Sequence, residues 1–292
     1  MSAADLLAHL AGGASTVARA WAVTRRDGMA FGFTDHDRDL AFEGITFRAR
    51  SGMTASALVQ TTGLSIDNAE AAGALSDAAV TEADILAGRF DGAEVRIWLV
   101  NWADVAARAL QFRGRFGQIV RGAGAFRAEL RGLSEALGAV QGRVYQTGCG
   151  AVLGDTACRV DLSAPGYSVE LPVEGVDAGR VFTWAGLAQF DDRWFERGRL
   201  TMLDGAAAGL VGWIKNDRPG AGRVVELWEA LRAPVVAGDR VRIEAGCDRR
   251  AETCRLKFHN LRNFQGFPHI PGEDWLTGYP VRAGVNDGGA LT

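Results

Sequence analysis

The second half of the chain carries YSVELPV (167–173), RVFTWAG (180–186), GRLTMLDG (198–205), GLVGWIKND (209–217), GRVVELWEA (222–230) and DRVRIEAG (239–246). Each is a short run rich in β-branched, aromatic and alternating apolar residues, and Gly, Asp or Pro interrupts nearly every gap. Six such runs at regular spacing predict a barrel or sandwich of strands rather than β-α-β units. The fold class is mainly β, a β-rich α+β chain. The 38 glycines among 292 residues point the same way. That is roughly twice the usual share of about 7%, without a Gly-X-Y period, as many turns and bulges require.

The first half reads as a second β module. A short helix at about 4–10 precedes the strand AWAVTR (20–25), an Asp27-Gly28 turn and FGFT (31–34). DRDLAFEGITFRAR (37–50) reads as a hairpin turning at Glu43-Gly44. Residues 76–87 predict a helix with acidic residues in its first turns, ended by Gly88. AEVRIWLVNW (93–102) is an apolar strand, and LQFRGRFGQIV (110–120) with AFRAELRGLS (125–134) an antiparallel pair. A short helix opening at Ser134 closes the module near Leu137. The expected organisation is residues 1–137, then 138–267, then an arm at 268–292. The stretch from Phe267 onward holds three of the seven prolines, and its Trp275 and Tyr279 suggest docking on the body or on a partner.

Net charge is −3 with both signs spread along the chain, which gives no basic field for nucleic acid or anionic lipid. The N-terminal run has no basic region ahead of it and does not read as a secretion signal. The longest nearly uncharged stretch, 205–214, is too short to span a bilayer. A reducing compartment is therefore expected, and it weakens a disulfide reading of the thiols.

All four cysteines lie in two glycine-flanked pairs, TGCGAVLGDTAC (147–158) and AGCDRRAETC (245–254). Eight residues separate Cys149 from Cys158 and six separate Cys247 from Cys254, with 88 residues between the pairs. A closed barrel returns its chain to one end, so both loops can meet there in a subdomain made of residues 145–162 and 245–267. Each pair could form a disulfide worth roughly 2–3 kcal/mol of loop closure. A metal joining all four contributes more, on the order of 10 kcal/mol for structural zinc. Structural zinc usually sits on C-x₂₋₄-C spacings, and both loops are longer. Longer loops with Gly148, Gly150, Gly154 and Gly246 can wrap N–H groups around cluster sulfurs, and Arg159, Arg249, Arg250 and Arg255 can offset thiolate charge. At this level an iron–sulfur cluster, a zinc ion, and disulfides or free thiols all stay open.

Other candidates are weaker. Thr34-Asp35-His36-Asp37 alternates faces on a strand and reads as a polar turn rather than a metal site. His259 and His269 flank HNLRNFQGFPH and read as packed or exposed histidines before second donors to a metal site. No G-x-S-x-G, H-E-x-x-H or P-loop pattern is present.

Several segments nevertheless resemble one family. TDHDRDLAFEGITF (34–47), VRIWLVNW (95–102), CGAVLGDTACRVD (149–161), GRLTMLDG (198–205) and GCDRRAETCRLKFHNLRNFQGFPHIPG (246–272) resemble the hub proteins of gene transfer agents and long-tailed phage baseplates. The cysteine spacings are also similar to those of the tail tip protein of lambdoid phages. The resemblance implies two tube-type β-barrel modules, with a non-enzymatic, structural role. It further implies a [4Fe–4S] cluster on Cys149, Cys158, Cys247 and Cys254, with zinc as the alternative cofactor. The implied partners are two further copies in a homotrimer, a six-fold distal tail ring, a three-fold fibre-bearing tip and a tail-associated peptidase. DNA would pass along the lumen without sequence-specific binding, and no stable membrane insertion is implied. The chain would be made in the bacterial cytoplasm and built into a particle tail. The competing expectation is an iron–sulfur or zinc enzyme, an oxidoreductase or hydrolase, on a β-barrel scaffold.

Overall fold

A computed structural model describes residues 3–13, 15–49, 54–55, 68–74, 80–122, 125–132, 138, 142–220 and 222–270. Contacts divide the chain into two compact units, Met1–Val140 and Gln141–Thr292. The architecture is mainly β, with two large sheets, one of them a half-barrel.

In the first unit helix α1 (Ala3–Ala11) is followed by β1 (Val17–Thr24), β2 (Ala30–Thr34), β3 (Leu40–Phe42), β4 (Ile45–Arg48), β5 (Thr54–Ala55) and β6 (Asn68–Ala74). Helix α2 (Glu82–Leu86), β7 (Glu94–Asn101), β8 (Arg108–Gly122) and β9 (Ala125–Gly132) complete it. The nine strands form one sheet in the order β3-β4-β2-β1-β7-β8-β9-β6-β5. The expected hairpin is present: β3 pairs antiparallel with β4 across Glu43 (φ 51°) and Gly44 (φ 73°). Two left-handed residues in a two-residue loop match the twist of the flanking strands. β8 and β9 pair antiparallel as expected.

Of the helix expected over 76–87, residues 76–79 lie outside the described residues, and helix α2 begins at Glu82, where Thr81 caps it by accepting the Asp84 N–H. β6 pairs along β9, although NAEAAGA carries none of the β-branched signal by which the other strands are recognised. Strand β1 is buried on both faces: Trp21 and Val23 pack with Phe33, Phe90 and Phe112, while Ala20 and Ala22 pack with Phe42, Phe47 and Trp98. The helix expected at Ser134 lies outside the described residues, as do Trp275 and Tyr279.

The second unit holds β10 (Ser168–Pro172), β11 (Gly175–Asp177), β12 (Val181–Trp184), β13 (Arg199–Met202), β14 (Val211–Pro219), β15 (Arg223–Leu227) and β16 (Arg240–Glu244). All six runs quoted from the sequence contain a strand; β11 is the added one. The sheet order is β10-β16-β13-β14-β15-β12-β11, antiparallel throughout. β14 pairs with β13 through Trp213 and with β15 from Ile214 onward, with a register shift between Ile214 and Asn216. Such a bulge bends a strand and strengthens its twist. The two end strands, β10 and β11, are consecutive in the chain, and the Trp184 indole Nε1–H donates to the carbonyl of Pro172, the last residue of β10 (2.8 Å). Inside sit Phe182, Trp184, Phe195, Leu200, Met202, Ile214, Leu227 and Ile243. Helix α3 (Ala251–Leu256) and a 3₁₀ turn (Leu261–Asn263) follow β16 directly.

No helix among the described residues is long and apolar enough to cross a membrane.

Candidate metal centre

The first cysteine loop is built around Asp155. Its carboxylate accepts the N–H groups of Val152 (2.8 Å), Ala157 (2.9 Å) and Cys158 (2.6 Å). These donors, Cys158 first and Val152 next, hold its pKa below the ordinary value of 3.8. The chain turns sharply at Gly154 (φ 83°) and Arg159 (φ 62°), and the turn fixes where Cys158 points.

The second loop leaves β16 at Ala245, whose N–H donates to the Tyr167 carbonyl (2.7 Å). Gly246 donates to the Trp194 carbonyl (2.9 Å), and a Cβ here would run into the Glu196 carbonyl oxygen. Glycine at 246 is thus a condition for the loop to dock. Cys247 then takes the N–H of Arg249 on its Sγ (3.4 Å), and Arg249 itself is left-handed (φ 66°). Cys254 lies within helix α3, its N–H bonded to the Arg250 carbonyl (3.1 Å).

Tertiary contacts bring the two loops together. The Cys149 N–H donates to the Arg249 carbonyl (2.8 Å), and Asn260 Nδ2 donates to the Cys158 carbonyl (2.6 Å). A third segment, 260–267, closes over both. The Gln265 N–H donates to Cys149 Sγ (3.4 Å), Asn260 Nδ2 reaches Cys158 Sγ (3.7 Å), and the Phe267 N–H donates to the Gln146 carbonyl (2.9 Å).

All four cysteines line one cavity of about 220 Å³, whose apolar walls include Leu153, Val160, Leu162, Trp213 and Phe258. Cys149, Cys158 and Cys254 are buried, Cys247 is half-buried, and all four are free thiols. Burial pushes the Cys254 thiol up to about 11, with Cys247, Cys158 and Cys149 adding to it. Burial is also the main cause of the upward shift at Cys247, to which Asp248 and the thiols Cys149 and Cys158 contribute. Neighbouring thiols that raise the cost of ionising Cys247 and Cys254 make a site that gains from a bound cation. Among the described residues no group of three or more His, Cys, Asp or Glu side chains is placed to hold a metal ion.

Of the arginines expected near the thiols, Arg249 lines this cavity, joined by Arg197 and Arg199 from the neighbouring sheet. Arg159 and Arg250 turn to the Thr156 carbonyl and to Asp248, and Arg255 is exposed. His259 and His269 are exposed, the reading their sequence context favours. The donors to the sulfurs from this run are the Asn260 side chain and the Gln265 backbone N–H, a role that such a turn does not announce in sequence. Thr34 to Asp37 form a polar turn: Thr34 Oγ1 donates to the Arg19 carbonyl (2.8 Å) and Asp35 accepts the Arg19 N–H (2.7 Å).

Residues 3–161 match the family described as baseplate hub protein, N-terminal attachment domain. Residues 193–274 match the phage conserved hypothetical protein BR0599. Cys149 and Cys158 fall in the first match, Cys247 and Cys254 in the second. A search of the curated proteins returns no match. Among solved structures, a chain in the virion of a native gene transfer agent particle is 61% identical, with a TM-score of 0.90 over 98% of this chain and 99% of that one. The chain belongs to the baseplate hub proteins, a structural rather than an enzymatic family.

Proposed function

We propose that this protein is a trimeric adaptor in the tail baseplate of a gene transfer agent virion, stapled by a [4Fe–4S] cluster on Cys149, Cys158, Cys247 and Cys254. The observation that carries the cluster is the single cavity lined by four thiols from two distant loops. An all-thiol donor set suits iron–sulfur clusters and zinc alike. Structural zinc usually sits on C-x₂₋₄-C spacings, however, and eight and six residues separate these thiols. N–H donors on three of the four sulfurs and the apolar walls are the surroundings by which proteins tune clusters. When bound, the cluster supplies four thiolate-binding corners and cancels the mutual repulsion of the ligands. The role is structural: it ties the segment entering the second sheet to the one leaving it.

The adaptor role is supported by the near-complete likeness to a chain of a gene transfer agent virion. The succession of two β units also suits it, since three such chains can present six similar surfaces to a six-fold distal tail ring. The other face would meet a three-fold, fibre-bearing tip, and a tail-associated peptidase would bind alongside. Iron, sulfide and zinc per chain, measured after purification without oxygen, test the centre. About four irons with a broad visible band are expected. About one zinc would keep the staple and overturn the cluster. Counting copies in purified particles by quantitative mass spectrometry tests the adaptor: three per tail are expected, and six would overturn it.

A further inference from the structure

We infer that Asn260 is a positioning residue of the thiol centre, which sets the electron density on the Cys158 sulfur and locks the two cysteine loops in register. The inference rests on the cluster reading above. Among the hydrogen bonds to the four sulfurs, those from Arg249 and Gln265 come from backbone N–H groups, and the one from Asn260 comes from a side chain. Its NH₂ group has two hydrogens and two acceptors, the Cys158 carbonyl (2.6 Å) and Cys158 Sγ (3.7 Å). The amide cannot flip without loss, because Oδ1 is taken by the Asn263 NH₂ group (2.6 Å). Its backbone N–H returns to the Cys254 carbonyl (2.9 Å), a path opened by left-handed His259 (φ 49°). One half-buried residue therefore touches a cysteine from each loop.

A donor on a ligand sulfur withdraws charge and favours the more negative, reduced state of a cluster. Removing it shifts the reduction potential negative, an effect that mere packing does not produce. The test is anaerobic purification of the full-length wild type, Asn260→Leu and Asn263→Ala, with iron and sulfide analysis, redox titration and resonance Raman spectra. Asn260→Leu, close in size but without a donor, is expected to load iron as wild type does. Its potential should be more negative and its Fe–S stretching bands shifted. Asn263→Ala, which releases the orienting contact at the cavity wall, should give a smaller shift of the same sign. A loaded Asn260→Leu protein at the wild-type potential would overturn the assignment to Asn260. If that variant takes up no iron, Asn263→Ala decides, and a wild-type potential there overturns it. Wild-type protein without iron and sulfide would overturn the cluster reading itself, a separate outcome.

Discussion

Replacing Asp217 by Ala is expected to destabilise the second unit severely and to loosen the thiol centre without touching a cysteine. Asp217 is fully buried, and Arg223 is 3% exposed. The guanidinium binds both carboxylate oxygens, Nε to Oδ1 (2.5 Å) and Nη2 to Oδ2 (2.6 Å). It also donates to the carbonyls of Phe190 (2.8 Å) and Asp191 (2.6 Å), while Asp217 accepts the Phe195 N–H (2.7 Å). The pair thus nails residues 190–195 to the β14–β15 hairpin. Trp194, in that segment, offers its carbonyl to Gly246 beside Cys247 and to Lys257 Nζ. Asp217→Ala leaves a buried guanidinium with two neutral acceptors, and breaking a buried pair in this way costs about 3–5 kcal/mol. With a urea m-value of about 2 kcal/mol/M, the midpoint should fall by about 2 M. Equilibrium unfolding followed by tryptophan fluorescence measures this. Asp217→Leu with Arg223→Met should cost less than the sum of the single changes, because no orphan charge remains. A loss below about 1 kcal/mol, the worth of an exposed pair, would refute the reasoning. Additive single changes would refute it as well.

Cys247→Ser is expected to abolish most metal loading, read as iron, sulfide and zinc per chain, since one of four thiolates is lost. Gly246→Ala forces a Cβ against the Glu196 carbonyl and should cost about 1–3 kcal/mol in urea unfolding, as overpacking does. Trp184→Phe loses the Pro172 contact and leaves a void where the larger indole is buried, so it should cost about 2–4 kcal/mol, measured the same way. Hydrogen bonds lower the pKa values of Asp155, Asp161 and Glu226, whose first causes are Cys158 N–H, the Ser163 hydroxyl and the Asn216 amide. A depressed folded-state pKa adds stability above the unfolded value and loses it as pH falls through the folded one. The thermal midpoint should therefore be flat between about pH 5 and pH 7 and fall below about pH 4.

How much was legible in sequence follows from the range of the forces involved. The six strands of the second unit were readable because apolar alternation and turn residues act within a few neighbours. The Glu43-Gly44 hairpin was readable for the same reason. β6 was not, because NAEAAGA lacks the β-branched and aromatic residues by which a strand is read, and its pairing with β9 shows only in the fold. The start of helix α2 is not legible either: Val80 and Thr81 lie ahead of it because the cap at Thr81 depends on one local hydrogen bond. The arginines were assigned to the thiols by nearness in sequence; Arg197 and Arg199 reach the cavity from β13 and the loop before it, across the sheet.

The sequence by itself determined the strand-rich class, the pairing of cysteines into two glycine-flanked loops and the family resemblance, all carried by short-range patterns. Only the tertiary structure decided that the four thiols share one cavity, and that Asn260 and Gln265, not the histidines beside them, donate to the sulfurs. Those facts depend on loops 88 residues apart meeting at one end of a bent sheet. No local propensity encodes such a meeting; it is fixed by strand register and by the hydrogen bonds that lock the loops together.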